Sequence, residues 1–300
     1  MRKTLPAAGF CAAAIAVALA GCSTPATRSA PPPRSHASSS AAPSRDPASG
    51  TTPSGGPSAR YAPRARSVAD LGAAVLYQTK QTSSVHMDMT MQVPGTGIVT
   101  ATGDGRFTGT QAAEQLTMTV PNVGNTHVIL VAGTVYLNTP RGLAGTTGRG
   151  GKPWVKVTTS GSGASQQAQS LAQTAILAGQ ADPTHLLQQI EAAGTITKVT
   201  QETLSDVATT HYAITVDAAK LAKSDPAERQ ALNHLGMTSL PFAIWVNSDN
   251  LPVRMVTVAP ISAPTVATGR QFSITVDYSH WGAPITITAP PTNEVATATG

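Results

Sequence analysis

Val85-His86-Met87-Asp88-Met89-Thr90-Met91-Gln92-Val93 alternates apolar and polar residues without a break. A period of two puts the odd-numbered side chains on one face of a strand and the even-numbered ones on the other. The stretch therefore predicts an extended strand with one buried, methionine-rich face and one solvated face. Turn chemistry at Pro94-Gly95-Thr96-Gly97 leads to a second strand at about 98 to 108, and Leu116-Thr117-Met118-Thr119-Val120 repeats the alternation. Short strands at 127 to 132, 134 to 138 and 154 to 158 extend an antiparallel meander.

Before this run, Ser67 is placed to cap a helix reaching about Lys80, with Val68, Leu71 and Val75 at helical spacing. After it, helices are expected at about 165 to 178 and from Asp182-Pro183, where proline suits the first helical position, with Leu186, Leu187 and Ile190 as the apolar face and Gly194 as the stop. Strands at 195 to 203 and 208 to 217 precede a helix from Ala218 to about Leu235. Further strands fall near 240 to 247, 252 to 259, 270 to 278 and 284 to 288, with Asn247-Ser248-Asp249-Asn250 as a hairpin turn. The tally of about ten to twelve short strands with three or four helices is an α+β pattern. Strands that neighbour in sequence tend to pair, so the expected architecture is a closed barrel or a strongly curved antiparallel sheet with helices on its concave face.

The chain begins with Met1-Arg2-Lys3, and from Leu5 to Ala20 carries no charged side chain. That is the pattern of a signal peptide, too short to span a bilayer and followed by polar linker. It ends in Leu19-Ala20-Gly21-Cys22, where small residues suit a signal peptidase and Cys22 offers a thiol for thioether lipidation. The expected division is a leader at 1–21, a lipidated Cys22 heading a Pro/Ser/Ala-rich stalk to residue 66, and one folded domain at 67–300. The other cysteine, Cys11, lies in the leader, so no disulfide is available to the mature domain.

The net charge of +5 does not describe the domain. The leader carries +2 and the stalk +5, leaving −2 from Ser67 onward, with basic residues scattered. Nothing there tracks phosphates, so no nucleic acid partner is expected.

Catalytic chemistry is not nominated either. There is no Gly-x-Ser-x-Gly elbow and no mature cysteine nucleophile, and His86, His127, His185, His211, His234 and His280 occur singly without metal-ligand spacing. The Gly148-Arg149-Gly150-Gly151-Lys152 stretch of a Gly-rich loop at 141 to 152 lacks the first glycine and the following hydroxyl of a phosphate cradle. No catalytic residue, metal ligand or cofactor is assigned. Asp88, Asp217 and Asp277 alternate with apolar neighbours and read as solvent-facing strand residues.

The apolar faces leave two readings open. Methionine is flexible and polarisable, which suits either an ordinary core or an adaptable surface for variable apolar ligands. On the second reading a cavity is lined by Val85, Met87, Met89, Met91, Leu116, Met118, Leu187, Ile190, Ile214, Phe242 and Ile244. On the first, the protein is a structural or sensory lipoprotein with a filled core that acts through protein contacts. A hydrolase of envelope polymers is a third and weaker alternative.

Several stretches together resemble the actinobacterial LppX/LprG-type lipoprotein family, which shares a LolA/LolB-like fold. They are the lipobox and stalk, Val135-Tyr136-Leu137, Pro153-Trp154-Val155-Lys156-Val157, Asp182-Pro183-Thr184-His185-Leu186-Leu187, Leu240-Pro241-Phe242-Ala243-Ile244-Trp245-Val246 with Leu251-Pro252-Val253-Arg254, and Val276-Asp277-Tyr278-Ser279-His280-Trp281-Gly282. The resemblance implies a half-barrel around helices that encloses an apolar cavity. Its implied ligand is an acyl lipid or glycolipid, bound, and in a carrier role transported, by a monomer anchored to the outer face of the cell membrane. The long arginine-bearing stalk and the extended Gly-rich loop depart from that pattern.

Overall fold

A computed structural model describes residues 61–93, 97–107, 113–122, 124–138, 151–157, 183–221, 238–260 and 271–297. The expected leader and nearly all of the stalk, the helix at 165 to 178, most of the Gly-rich loop and the helix beyond residue 221 lie outside these residues.

The first helix, α1 (Val68–Thr82), starts where its cap chemistry dictates. The Ser67 hydroxyl accepts the Asp70 N–H at 3.0 Å. Ser83, in the left-handed region at φ 67°, ends it by donating its N–H to the Thr79 carbonyl. Val68, Leu71, Val75 and Thr79 form its buried stripe. Among the described residues two short helices follow later, α2 (Pro183–Ile190) and α3 (Ala218–Leu221).

Twelve strands among the described residues form one sheet. The first meander runs β1 (Ser84–Val93), β2 (Gly97–Arg106), β3 (Ala113–Val120), β4 (Gly124–Val131), β5 (Thr134–Asn138) and β6 (Trp154–Val157). The second runs β7 (Gly194–Leu204), β8 (Val207–Asp217), β9 (Ser239–Val246), β10 (Pro252–Pro260) and β11 (Gln271–Ser279). The two meanders join through antiparallel pairing of β1 with β11, so the first strand lies in the middle of the sheet. A three-residue strand, β12 (Val295–Thr297), adds to β6 in parallel. The order β12-β6-β5-β4-β3-β2-β1-β11-β10-β9-β8-β7 leaves β12 and β7 as free edges, so the sheet is open rather than closed.

Local chemistry accounts for the hairpins. Ala132 and Gly133 between β4 and β5, and Ser205 and Asp206 between β7 and β8, all have positive φ, as two-residue turns that follow the strand twist require. At the expected turn before β10, the Asn247 side-chain oxygen accepts the N–H groups of Asp249 and Leu251.

The expected strand at 284 to 288 does not form. Its natural neighbour β11 is already paired on both sides, by β1 and β10, so no edge remains for it. Ile287 is still buried, and the chain goes on to the free edge of β6, where β12 pairs. Parallel addition by three residues leaves no alternation long enough to read.

Burial follows the alternation. Val85, Met87, Met89 and Met91 are buried, whereas His86, Asp88 and Gln92 are not. The buried faces of the strands and of α1 and α2 belong to one core cluster. The stretch before α1 joins it: the Tyr212 hydroxyl accepts the Ala65 N–H at 2.8 Å and donates to the Pro63 carbonyl, and Ala62 is buried. Residues 62 to 65 thus pack against β8 rather than continuing as free stalk.

Candidate functional site

The two faces of the sheet carry different chemistry. On the buried face, directly opposed residues form rows across strands: Tyr212, Ile244, Met255, Val276, Met89, Ala101 and Met118 follow one another from β8 through to β3. A neighbouring row runs from Tyr278 through Met87, Gly103, Leu116, Val128 and Leu137 to Val155. Five of the chain's seven methionines, Met87, Met89, Met91, Met118 and Met255, meet here, and the other two lie outside the described residues.

Every residue expected to line a cavity is buried: Val85, Met87, Met89, Met91, Leu116, Met118, Leu187, Ile190, Ile214, Phe242 and Ile244 are all at most 5% exposed. All belong to the one core cluster. Leu187 and Ile190 reach it from α2, which packs against α1: an added Cβ on Gly72 would sit 3.8 Å from that of Leu187. Gly194, at the start of β7, lies close beneath Val68 and Ile214.

Sequence reading left out several members of this face, among them Met255, Tyr278 and Glu114. Met255 and Tyr278 lie on the strands expected at 252 to 259 and 270 to 278 but were not named as lining residues, and the Tyr278 hydroxyl points at the Met255 sulfur at 3.5 Å. Glu114 is buried at 5% exposure on the same face, at period two with Leu116 and Met118. The alternation therefore held the signal for Glu114, but a carboxylate rarely counts as a core residue.

The opposite face is polar. His86 shares Nδ1 with the Asp104 carboxylate at 2.8 Å, and Gln115 donates to the other Asp104 oxygen at 3.2 Å. Asp88 lies 3.7 Å from His86 Nε2, and the His280 ring meets His86 edge-on at 6.0 Å. Arg254 pairs with Asp277 across β10 and β11. His127 bonds Thr117 at 3.0 Å. These histidines and acids occupy the solvated face that the alternation assigns to them. Among the described residues no three metal-ligating side chains converge.

His211 is the most constrained of the polar-face groups. Its ring stacks on Trp245 with centroids 4.1 Å apart and planes within 3°. Nδ1 lies 3.3 Å from Glu202 and 3.2 Å from the Thr200 hydroxyl, and Glu202 also accepts the Trp245 indole N–H. Nε2 is buried and has no partner among the described residues. Burial lowers the His211 pKa below 6.5, outweighing the attraction of Glu202, and Lys198 lowers it further.

In fold, the chain is similar to LppX and LprF. LppX of Mycobacterium tuberculosis is 15% identical, with 74% of this chain and 98% of that one covered at a TM-score of 0.43. LprF of Mycobacterium bovis is 22% identical, with 74% and 97% covered at 0.41. A LolA superfamily protein of Nitrosomonas europaea is 10% identical, with 74% and 96% covered at 0.25. No family model matches the sequence, and no curated protein does. LppX, after which the family resembled by the sequence motifs is named, is among these solved structures.

Proposed function

We propose that the chain is a non-enzymatic cell-envelope lipoprotein, anchored through Cys22 to the outer face of the membrane, that binds acyl chains of lipids or glycolipids against the buried face of its sheet. In this reading the open sheet curves as a half-barrel with α1 and α2 on its concave side. The observation that carries it is the gathering of Met87, Met89, Met91, Met118 and Met255 on that one face. Unbranched thioethers repack around chains of differing length and unsaturation at little cost. Each methylene taken from water contributes about 0.8 kcal/mol, so partial enclosure of an acyl chain offsets much of the loss of its bilayer environment.

A structural or sensory role is the second reading, and the near-complete burial of the same residues favours it, since a filled core needs no ligand. One experiment separates the two. The chain is produced without residues 1–22 in a membrane-containing host, which removes the lipid carried by its own anchor, and its organic extract is analysed by mass spectrometry. Binding predicts stoichiometric lipid that Met89→Lys abolishes. An extract without lipid, with a fold that melts cooperatively unaided, would leave the filled-core reading.

A further inference from the structure

The polar face holds a cleft that the buried face does not explain. It lies over β2 to β6 and has a volume of about 430 Å³. Register places its side chains in one row: Thr102 opposes Thr117, Thr117 opposes His127, and His127 opposes Asn138. Leu137 opposes Val155, which brings Trp154 to the end of that row, beside Asn138. Gln115 and Ile129, one position along, line the same cleft.

The chemistry of this row selects a ligand class. Among the described residues no Asp, Glu, Lys or Arg lines the cleft, so none of them neutralises a phosphate, a carboxylate or an amine there. What it offers is a half-buried indole at one end and neutral amide, imidazole and hydroxyl groups along the rest. Among the described residues the Asn138 amide and the Trp154 indole N–H have no protein partner. Trp154 is held from behind, because β12 pairs with β6 and Lys152 Nζ donates to the Val295 carbonyl at 3.0 Å. A flat apolar platform beside neutral hydrogen-bonding groups matches the two surfaces of a pyranose ring, its C–H face and its equatorial hydroxyls. Strands lie about 4.8 Å apart, a spacing comparable with the repeat of an extended sugar chain, so successive rings would meet successive strands.

We propose that this outer-face cleft binds a neutral sugar, with Trp154 as the stacking platform and Asn138, His127 and Gln115 as hydrogen-bonding partners. The site is separate from the buried face and independent of whether that face binds lipid. A free glycan and the neutral headgroup of a glycolipid present the same chemistry.

The test uses the full lipidated chain in a detergent whose headgroup is not a sugar. Cellohexaose, maltohexaose, xylohexaose and mannohexaose are titrated by calorimetry. In parallel, flotation with phosphatidylcholine vesicles is measured with and without monogalactosyldiacylglycerol. The expected result is saturable binding of at least one oligosaccharide, or glycolipid-dependent flotation, weakened about tenfold or more by Trp154→Ala, as a buried aromatic anchor requires. Oligosaccharide binding identifies a glycan source and flotation alone a lipid headgroup. Asn138→Ala, which leaves the strand and indole in place, must weaken the same signal, whereas Trp245→Phe must not. Absence of binding to every probe, or binding that survives both Trp154→Ala and Asn138→Ala, overturns the proposal. Lipid content in the extract of Trp154→Ala, unchanged from the parent, separates this outcome from that of the buried face.

Discussion

Two glycines two residues apart on β2 give a quantitative test of how closely this sheet is packed. An added Cβ on Gly103 would lie 1.9 Å from the Gln115 carbonyl oxygen and 2.9 Å from the Leu116 Cα, both backbone atoms of β3. Contact tighter than 3.4 Å is unusual for a Cβ, so Gly103→Ala forces β3 back by about 1.5 Å. Hydrogen bonds near 2.9 Å would then be stretched past the useful range. Each buried donor or acceptor left without a partner costs about 1–3 kcal/mol, so disruption of the two nearest ladder bonds predicts a loss of about 3–5 kcal/mol. That is a large share of the about 5–15 kcal/mol typical of a domain.

At Gly105 the obstacles are different in kind. An added Cβ would come 2.9 Å from Met87 Cε and 2.9 Å from Phe107 Cζ, both side-chain ends. Methionine can swing a terminal methyl away, and alanine regains about 0.5–1 kcal/mol of strand entropy relative to glycine, so Gly105→Ala should stay within about 1 kcal/mol of the parent. Urea unfolding followed by far-ultraviolet circular dichroism gives both values. If Gly103→Ala cost under about 1 kcal/mol, or if Gly105→Ala were the more damaging, the close approach of β2 and β3 would be refuted.

Two further outcomes are expected. Because burial depresses the His211 pKa in the folded state, the unfolded chain binds the extra proton as pH falls through 6.5, so stability is full above 6.5 and declines below it. Thermal melts in that acidic window should show a shallower decline for His211→Gln than for the parent, and parallel curves would rule out this contribution. Cys22→Ala should move the protein from the membrane to the soluble or incompletely processed fraction after cell fractionation, and retention in a membrane after alkaline washing would rule out the anchor.

Much of the sheet was legible because its signal is local. The Val85 to Val93 alternation assigns each side chain to a face without reference to any other strand, and Met87, Met89 and Met91 are buried as it requires. The cap at Ser67 and the turn at Asn247 were equally readable, since the interacting groups lie within four residues. The candidate lining residues came from the same local patterns. Glu114 obeyed the alternation but was passed over for its charge. The row that joins Thr102, Thr117, His127, Asn138 and Trp154 could not be read, because it depends on register across five strands.

By itself the amino-acid sequence determined which of the described residues face inward, where the described helices and most strands begin, and that the excess of basic charge falls before residue 67 rather than after it. Those properties follow from spacing, capping and composition, which act over a few residues. Only the tertiary structure decided that β11 returns to pair with β1, that the sheet stays open, and that residues 284 to 288 find no edge while β12 does. Strand order is a competition among distant segments for the same hydrogen-bonding edges, and its outcome depends on which edges are already filled.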